Sequence, residues 1–120
     1  MNSFSLKKQL NDPTAPTIDV ACLGFYDAYF MPHYNVVTPH THLARHMKEA
    51  LKSQPRAGIG LTNCAALEIV GDSYRLLTTD ASAYGIQAYG VKAYYRDGAY
   101  AEERLAQTTD FAPLSALLKK

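Results

Sequence analysis

The clearest period in the chain lies between residues 43 and 51, where Leu43, Met47, Ala50 and Leu51 recur at three- and four-residue spacing. Arg45, Lys48, Glu49 and Lys52 fall mostly off that stripe, which predicts one amphipathic helix. Thr38-Pro39 supplies a start: the Thr oxygen accepts from an early backbone N–H, and Pro at the first helical position has no donor to leave unpaired. The helix is therefore expected over about 39–54, stopping before Pro55.

After Gly58 the pattern changes to short apolar runs, AGIGLT, AALEIV, YRLLTT, VKAYYR and AYAEERL. Gly71-Asp72 and Asp97-Gly98 separate two pairs of them and predict two hairpins. The stretch ASAYGIQAYG reads as a turn and an edge strand; its two AYG triplets are five residues apart, too close for a repeat period. Upstream, Val20 to Phe25 and Ala28 to Met31 read as short extended segments broken by Gly24 and Asp27, while residues 1–19, with Asn11, Asp12, Pro13 and Pro16, carry loop chemistry. In the tail DFAPLSALLKK, Leu114, Leu117 and Leu118 share a face, which suits a short closing helix capped by Asp110 or the Thr before it.

At 120 residues these elements fit a single domain spanning 1–120, an α/β unit with a hairpin-rich second half. Charge narrows the partners. A formal net charge of +1 lacks the basic excess that phosphate backbones require, so nucleic acid is not expected. There is no run of about 18 apolar residues, and MNSFSLKKQL has no apolar region behind its lysines, so neither a membrane span nor a secretory signal is expected and the cytoplasm is the default compartment. Cys22 and Cys64 fit no CxxC spacing and sit among Ala and Leu, which predicts buried free thiols. The nine tyrosines suit half-buried strand positions, ring packed and hydroxyl wet, better than a base-stacking platform.

Two histidine sets carry candidate chemistry. His33 ends the apolar segment YFMPHYN; Pro32 restricts Met31 to extended geometry, so the imidazole is presented at a strand end, either as a general base or as a cap packed beside Tyr29 and Tyr34. In HTHLARH, His42 and His46 stand at i and i+4, a spacing that can hold zinc; but the Glu of HExxH is missing and no nearby Cys completes a set, so no metal is expected. Serines lie at 3, 5, 53, 73, 82 and 115, none within a GxSxG elbow.

Taken together, LGFYDAYFMPHYN, the helix ending KEALKSQ, the run AGIGLTNCAALEIVGDSYRLLTTDASAYGIQAYG and VKAYYRDGAYAEERL resemble the C-terminal half of the peptidase E (aspartyl dipeptidase) family of serine peptidases, which includes cyanophycinase-like members. The resemblance runs from about Phe4 and rests most on the PHY turn and the GIGL…AALEI…GD…YR run. It implies a partial flavodoxin-like or glutaminase-like three-layer sandwich and a cofactor-independent dipeptidase whose nucleophile serine, on a GxSAG elbow, belongs to a first half that these residues do not contain. The family's triad histidine maps onto His33. Its acid maps best onto Asp12 of Asn11-Asp12-Pro13, with Asp19 and Asp27 behind it, and Arg45 is the arginine nearest to where members holding a substrate carboxylate place theirs.

Two functions follow from that resemblance. The chain is either a truncated or split subunit that supplies His33 and Asp12 to a serine on another chain, acting on dipeptides such as Asp-X, or an inactive remnant that self-associates or binds. Either would leave apolar strand faces and an open sheet edge, so a homo-oligomer or a partner chain is expected to cover them.

Overall fold

A computed structural model describes residues 2–4, 19–21, 24–107 and 110–120, the first two segments as backbone only. The strands are β1 (Asn2–Phe4), β2 (Asp19–Ala21), β3 (Ala28–Pro32), β4 (Ala57–Leu61), β5 (Ala65–Val70), β6 (Ser73–Thr78), β7 (Gly90–Arg96), β8 (Ala99–Arg104) and β9 (Ala112–Pro113). Helix α1 covers Leu43–Leu51 and α2 covers Leu114–Leu118. The result is an α/β fold of two sheets and few helices: a six-stranded sheet ordered β2-β1-β3-β4-β7-β8 and a three-stranded sheet ordered β5-β6-β9.

In the larger sheet β1, β3 and β4 run parallel, while β2, β7 and β8 are antiparallel to their neighbours. Strand alternation sorts its side chains onto two faces. Tyr29 and Met31 of β3 and Val91 and Ala93 of β7 meet Leu43, Met47 and Leu51 of α1 on one face. Ala28, Ile59 and Leu61 turn to the other, against Leu76 of the smaller sheet and Leu114 and Leu117 of α2. The helix can lie close because β4 presents only Gly58 and Gly60 to it: a Cβ at Gly58 would stand 2.8 Å from Leu51, and one at Gly60 would stand 2.5 Å from the Tyr34 ring.

Both expected hairpins are present, β5–β6 and β7–β8. In the second, Asp97 (φ 53°) and Gly98 (φ 80°) both take the left-handed backbone of the tight hairpin turn. Five expectations need correction. Helix α1 starts at Leu43 and not near Pro39, because residues 38–41 close a turn of their own, with Thr38 N–H donating to the Thr41 carbonyl at 2.6 Å and Val37 bridging His42. The cap is consequently His42, whose Nδ1 accepts from the Arg45 N–H at 3.1 Å. Asn2–Phe4 is a strand and not loop, paired with β2 and β3.

The edge strand expected within 81–90 is replaced by a 3-10 turn over Ser82–Tyr84. Asp80 accepts the Ser82 N–H at 3.0 Å, and this bond holds its carboxyl below the usual range. The expected burial of Cys64 is also overturned. This residue is exposed, because it sits at φ 66° in the turn between β4 and β5 and not within either strand. The tail helix forms, though Pro113 occupies its N-cap position and provides no side-chain cap bond.

Candidate functional site

β3 and β4 are parallel neighbours, so their carboxyl ends lie side by side, the position at which open α/β sheets present ligand-binding crevices. Each strand ends in a left-handed residue close to its last paired position: His33 at φ 56° after Pro32, and Cys64 at φ 66° three residues beyond Leu61. Three hydrogen bonds tie the two turns together. Tyr34 N–H donates to the Leu61 carbonyl at 2.9 Å, Asn63 N–H donates to Asn35 Oδ1 at 2.9 Å, and His33 Nδ1 meets Asn63 Oδ1 at 2.5 Å.

The last of these has a chemical consequence. An amide Oδ1 only accepts, so with Asn63 oriented this way Nδ1 of a neutral His33 carries the proton. Asn63 is in turn held by Thr62, a buried side chain whose hydroxyl donates to the Asn63 carbonyl at 3.1 Å and accepts the Tyr89 N–H at 2.8 Å. His33, Asn63 and Cys64, with Pro32 and Phe30, line one cavity of about 300 Å³. An imidazole, an amide and a thiol therefore line one cavity.

Behind the site, Tyr34 fixes the turn. Its ring lies over Gly60 and edge-on to Tyr89, with ring centroids 6.5 Å apart, and its hydroxyl donates to Glu102 Oε2 at 2.7 Å. Tyr100 donates to the same oxygen at 3.0 Å. Burial, reinforced by the Glu102 hydrogen bond, pushes the Tyr34 hydroxyl far above the ordinary phenol range. Burial and the Glu102 charge push Tyr100 up to about 12.

The residues expected from sequence are distributed unevenly. His33 is at the site. Asp12 lies outside the described residues, and the side chain of Asp19 is likewise not described. Asp27 is exposed and faces Arg56 at 3.4 Å. Nδ1 of His33, the atom a triad acid would hold, is engaged by Asn63, a residue that carried no signal in the sequence because its partner is thirty positions away. Arg45 stands on α1 and lines a separate cavity with His40, His42 and His46; it does not line the cavity of His33. In that cluster His42 spends Nδ1 on capping the helix, and among the described residues no group of three or more His, Cys, Asp or Glu is placed to hold a metal.

No protein-family model matches the chain, and neither the curated proteins nor the solved structures contain a match to it.

Proposed function

We propose that the chain is the base-bearing half of a serine-type amide hydrolase of the peptidase E kind, with His33 as general base and acid and the nucleophile hydroxyl supplied from outside these 120 residues. The observation that supports this most directly is the His33–Asn63 pair at the carboxyl ends of two parallel strands, with both residues lining one cavity. In that role His33 takes the proton of an incoming serine hydroxyl as its oxygen attacks the substrate carbonyl, then returns it to the leaving amine. Asn63 orients the ring through its amide, and the supporting acid is the one the resemblance assigns to Asp12. The flavodoxin-like sandwich that the resemblance implies belongs to the same proposal, with the missing first half completing the sheet.

A split enzyme of this kind needs a partner to cover its apolar surface. Val70 is 58% exposed and Leu77 42% exposed, so we expect a homo-oligomer or a complementing chain over apolar surface of this kind. The same exposure supports a second reading, a non-catalytic module that self-associates, because none of the serines stands in a GxSxG elbow.

One assay separates the two. The chain is mixed with a GxSAG-bearing first half and offered dipeptide amides. Hydrolysis that requires both parts and falls at least about a thousandfold in His33→Ala supports the split enzyme. No hydrolysis with a folded, stably associated complex leaves the binding module.

A further inference from the structure

An apolar cavity of about 530 Å³ lies on the same face of the sheet as Ile59 and Leu61, between β4, β5 and the end of α2. Its walls include Phe30, Ile59, Leu61, Leu67, Ile69 and Leu118, with Phe25 at the exposed rim; among the described residues no charged side chain lines it. Phe30, Leu61 and Ala65 line this cavity and also the cavity of His33, Asn63 and Cys64. The two spaces therefore adjoin across a shared apolar wall.

We infer that this cavity is the specificity pocket of the His33 site and takes a large apolar group, an aromatic or branched aliphatic side chain on the acyl side of the amide to be cleaved. The inference rests on the reading of His33 as a hydrolytic base and adds the substrate class. Volume and chemistry both point this way. A space of about 500 Å³ is within the ordinary range for small-molecule sites, which are mostly apolar with a few polar groups at one end. Here the polar groups, His33 and Asn63, line the adjoining cavity, beyond the wall of Phe30, Leu61 and Ala65 that the two spaces share. An aspartate side chain in the same pocket would lose water and meet no cation among the described residues, since Arg45 lines a different cavity beside His42 and His46. The pocket thus selects against the acidic side chain that the peptidase E resemblance suggests.

Binding of substrate fragments tests this without any nucleophile. The full chain, with labelled methyl groups, is titrated with N-acetyl-phenylalaninamide, N-acetyl-leucinamide and N-acetyl-aspartate amide while its NMR spectrum is followed. We expect saturable shifts of the Ile59, Leu67 and Leu118 methyls with the two apolar amides, and at least about tenfold weaker binding of the aspartate compound. Ala65→Leu, which adds bulk at the shared wall, is expected to weaken the apolar amides at least about fivefold while the spectrum stays that of a folded chain. Leu67→Ala, which enlarges the pocket without closing it, provides a second variant and is expected to change the relative affinity of the two apolar amides.

Absence of saturable shifts at millimolar amide, equal binding of the aspartate compound, or unchanged affinity in a folded Ala65→Leu would each overturn the inference. The outcome also separates from that of the hydrolase reading. Apolar amides that bind but are never cleaved in the complemented assay defeat the hydrolase and spare the pocket. Cleavage of aspartyl amides as fast as phenylalanyl ones defeats the pocket and spares the hydrolase.

Discussion

Replacing Gly60 by alanine should cost far more than adding one methyl to a strand ordinarily does. The new Cβ would lie 2.5 Å from Tyr34 Cδ2, 2.8 Å from Cγ and 3.0 Å from Cε2, distances at which the ring must move. It has little room to do so. The backbone of Tyr34 is held by the Leu61 carbonyl, its hydroxyl by Glu102, and its ring edge by Tyr89. Overpacking against a constrained partner costs about 1–3 kcal/mol, and with the ring held this way we expect roughly 2 kcal/mol. For a chain of this size that is a fall in Tm of roughly 5–10 °C.

Urea denaturation followed by circular dichroism measures the loss, and a double-mutant cycle with Tyr34→Ala locates it. With the ring removed there is nothing for the added methyl to strike. The cost of Gly60→Ala should then shrink to roughly a few tenths of a kcal/mol or vanish. An equal cost in both backgrounds, or one below roughly 0.5 kcal/mol with Tyr34 intact, would refute the claim that Gly60 exists to seat this ring.

Three further outcomes are expected. Nitrogen-detected NMR of the uncharged form of His33 should show the Nδ1-protonated tautomer, and Asn63→Ala should shift the population toward Nε2–H; a predominant Nε2–H form in the unmodified chain would contradict the Asn63 orientation. Tyr34 and Tyr100 hold their protons more tightly folded than unfolded, so their contribution is intact below about pH 10 and is lost as pH rises from there through about 12. Stability against urea should accordingly fall between about pH 10 and about 12, less steeply in Tyr34→Phe, and parallel curves for the two proteins would count against it. Lys92, largely buried beneath α2, donates to the Ala116 carbonyl at 2.7 Å, and burial lowers its pKa. Lys92→Ala should destabilise by about 1–2 kcal/mol through lost packing and one lost bond, while Lys92→Met, which keeps most of the stem, should cost less than half of that in the same urea titration.

Local pattern is enough wherever neighbours in sequence are neighbours in space. The stripe of Leu43, Met47 and Leu51 is the buried face of α1, and the Gly71-Asp72 and Asp97-Gly98 pairs join hairpins, because a helix period and a two-residue turn are short-range facts. The start of α1 departs from the local pattern for the same reason in reverse: Thr38-Pro39 has the chemistry of a helix cap, but the Val37–His42 bridge outcompetes it. That bridge closes only once the segment is folded back on itself.

His33 is legible as a candidate from the PHY turn alone, and which of its ring nitrogens carries the proton is not. Asn63 selects that atom, brought beside the ring because β3 and β4 pair in parallel and end together, a pairing no window of either strand contains. The exposure of Cys64 comes from the same source, since Ala and Leu neighbours predict burial and a left-handed turn residue overrides them. The sequence by itself determined most of the helix, strand and turn segments, and set an imidazole at a strand end. Only the tertiary structure decided that the imidazole has an amide at its back and an apolar cavity at its side, because the amide and most of the cavity's walls come from elements far along the chain.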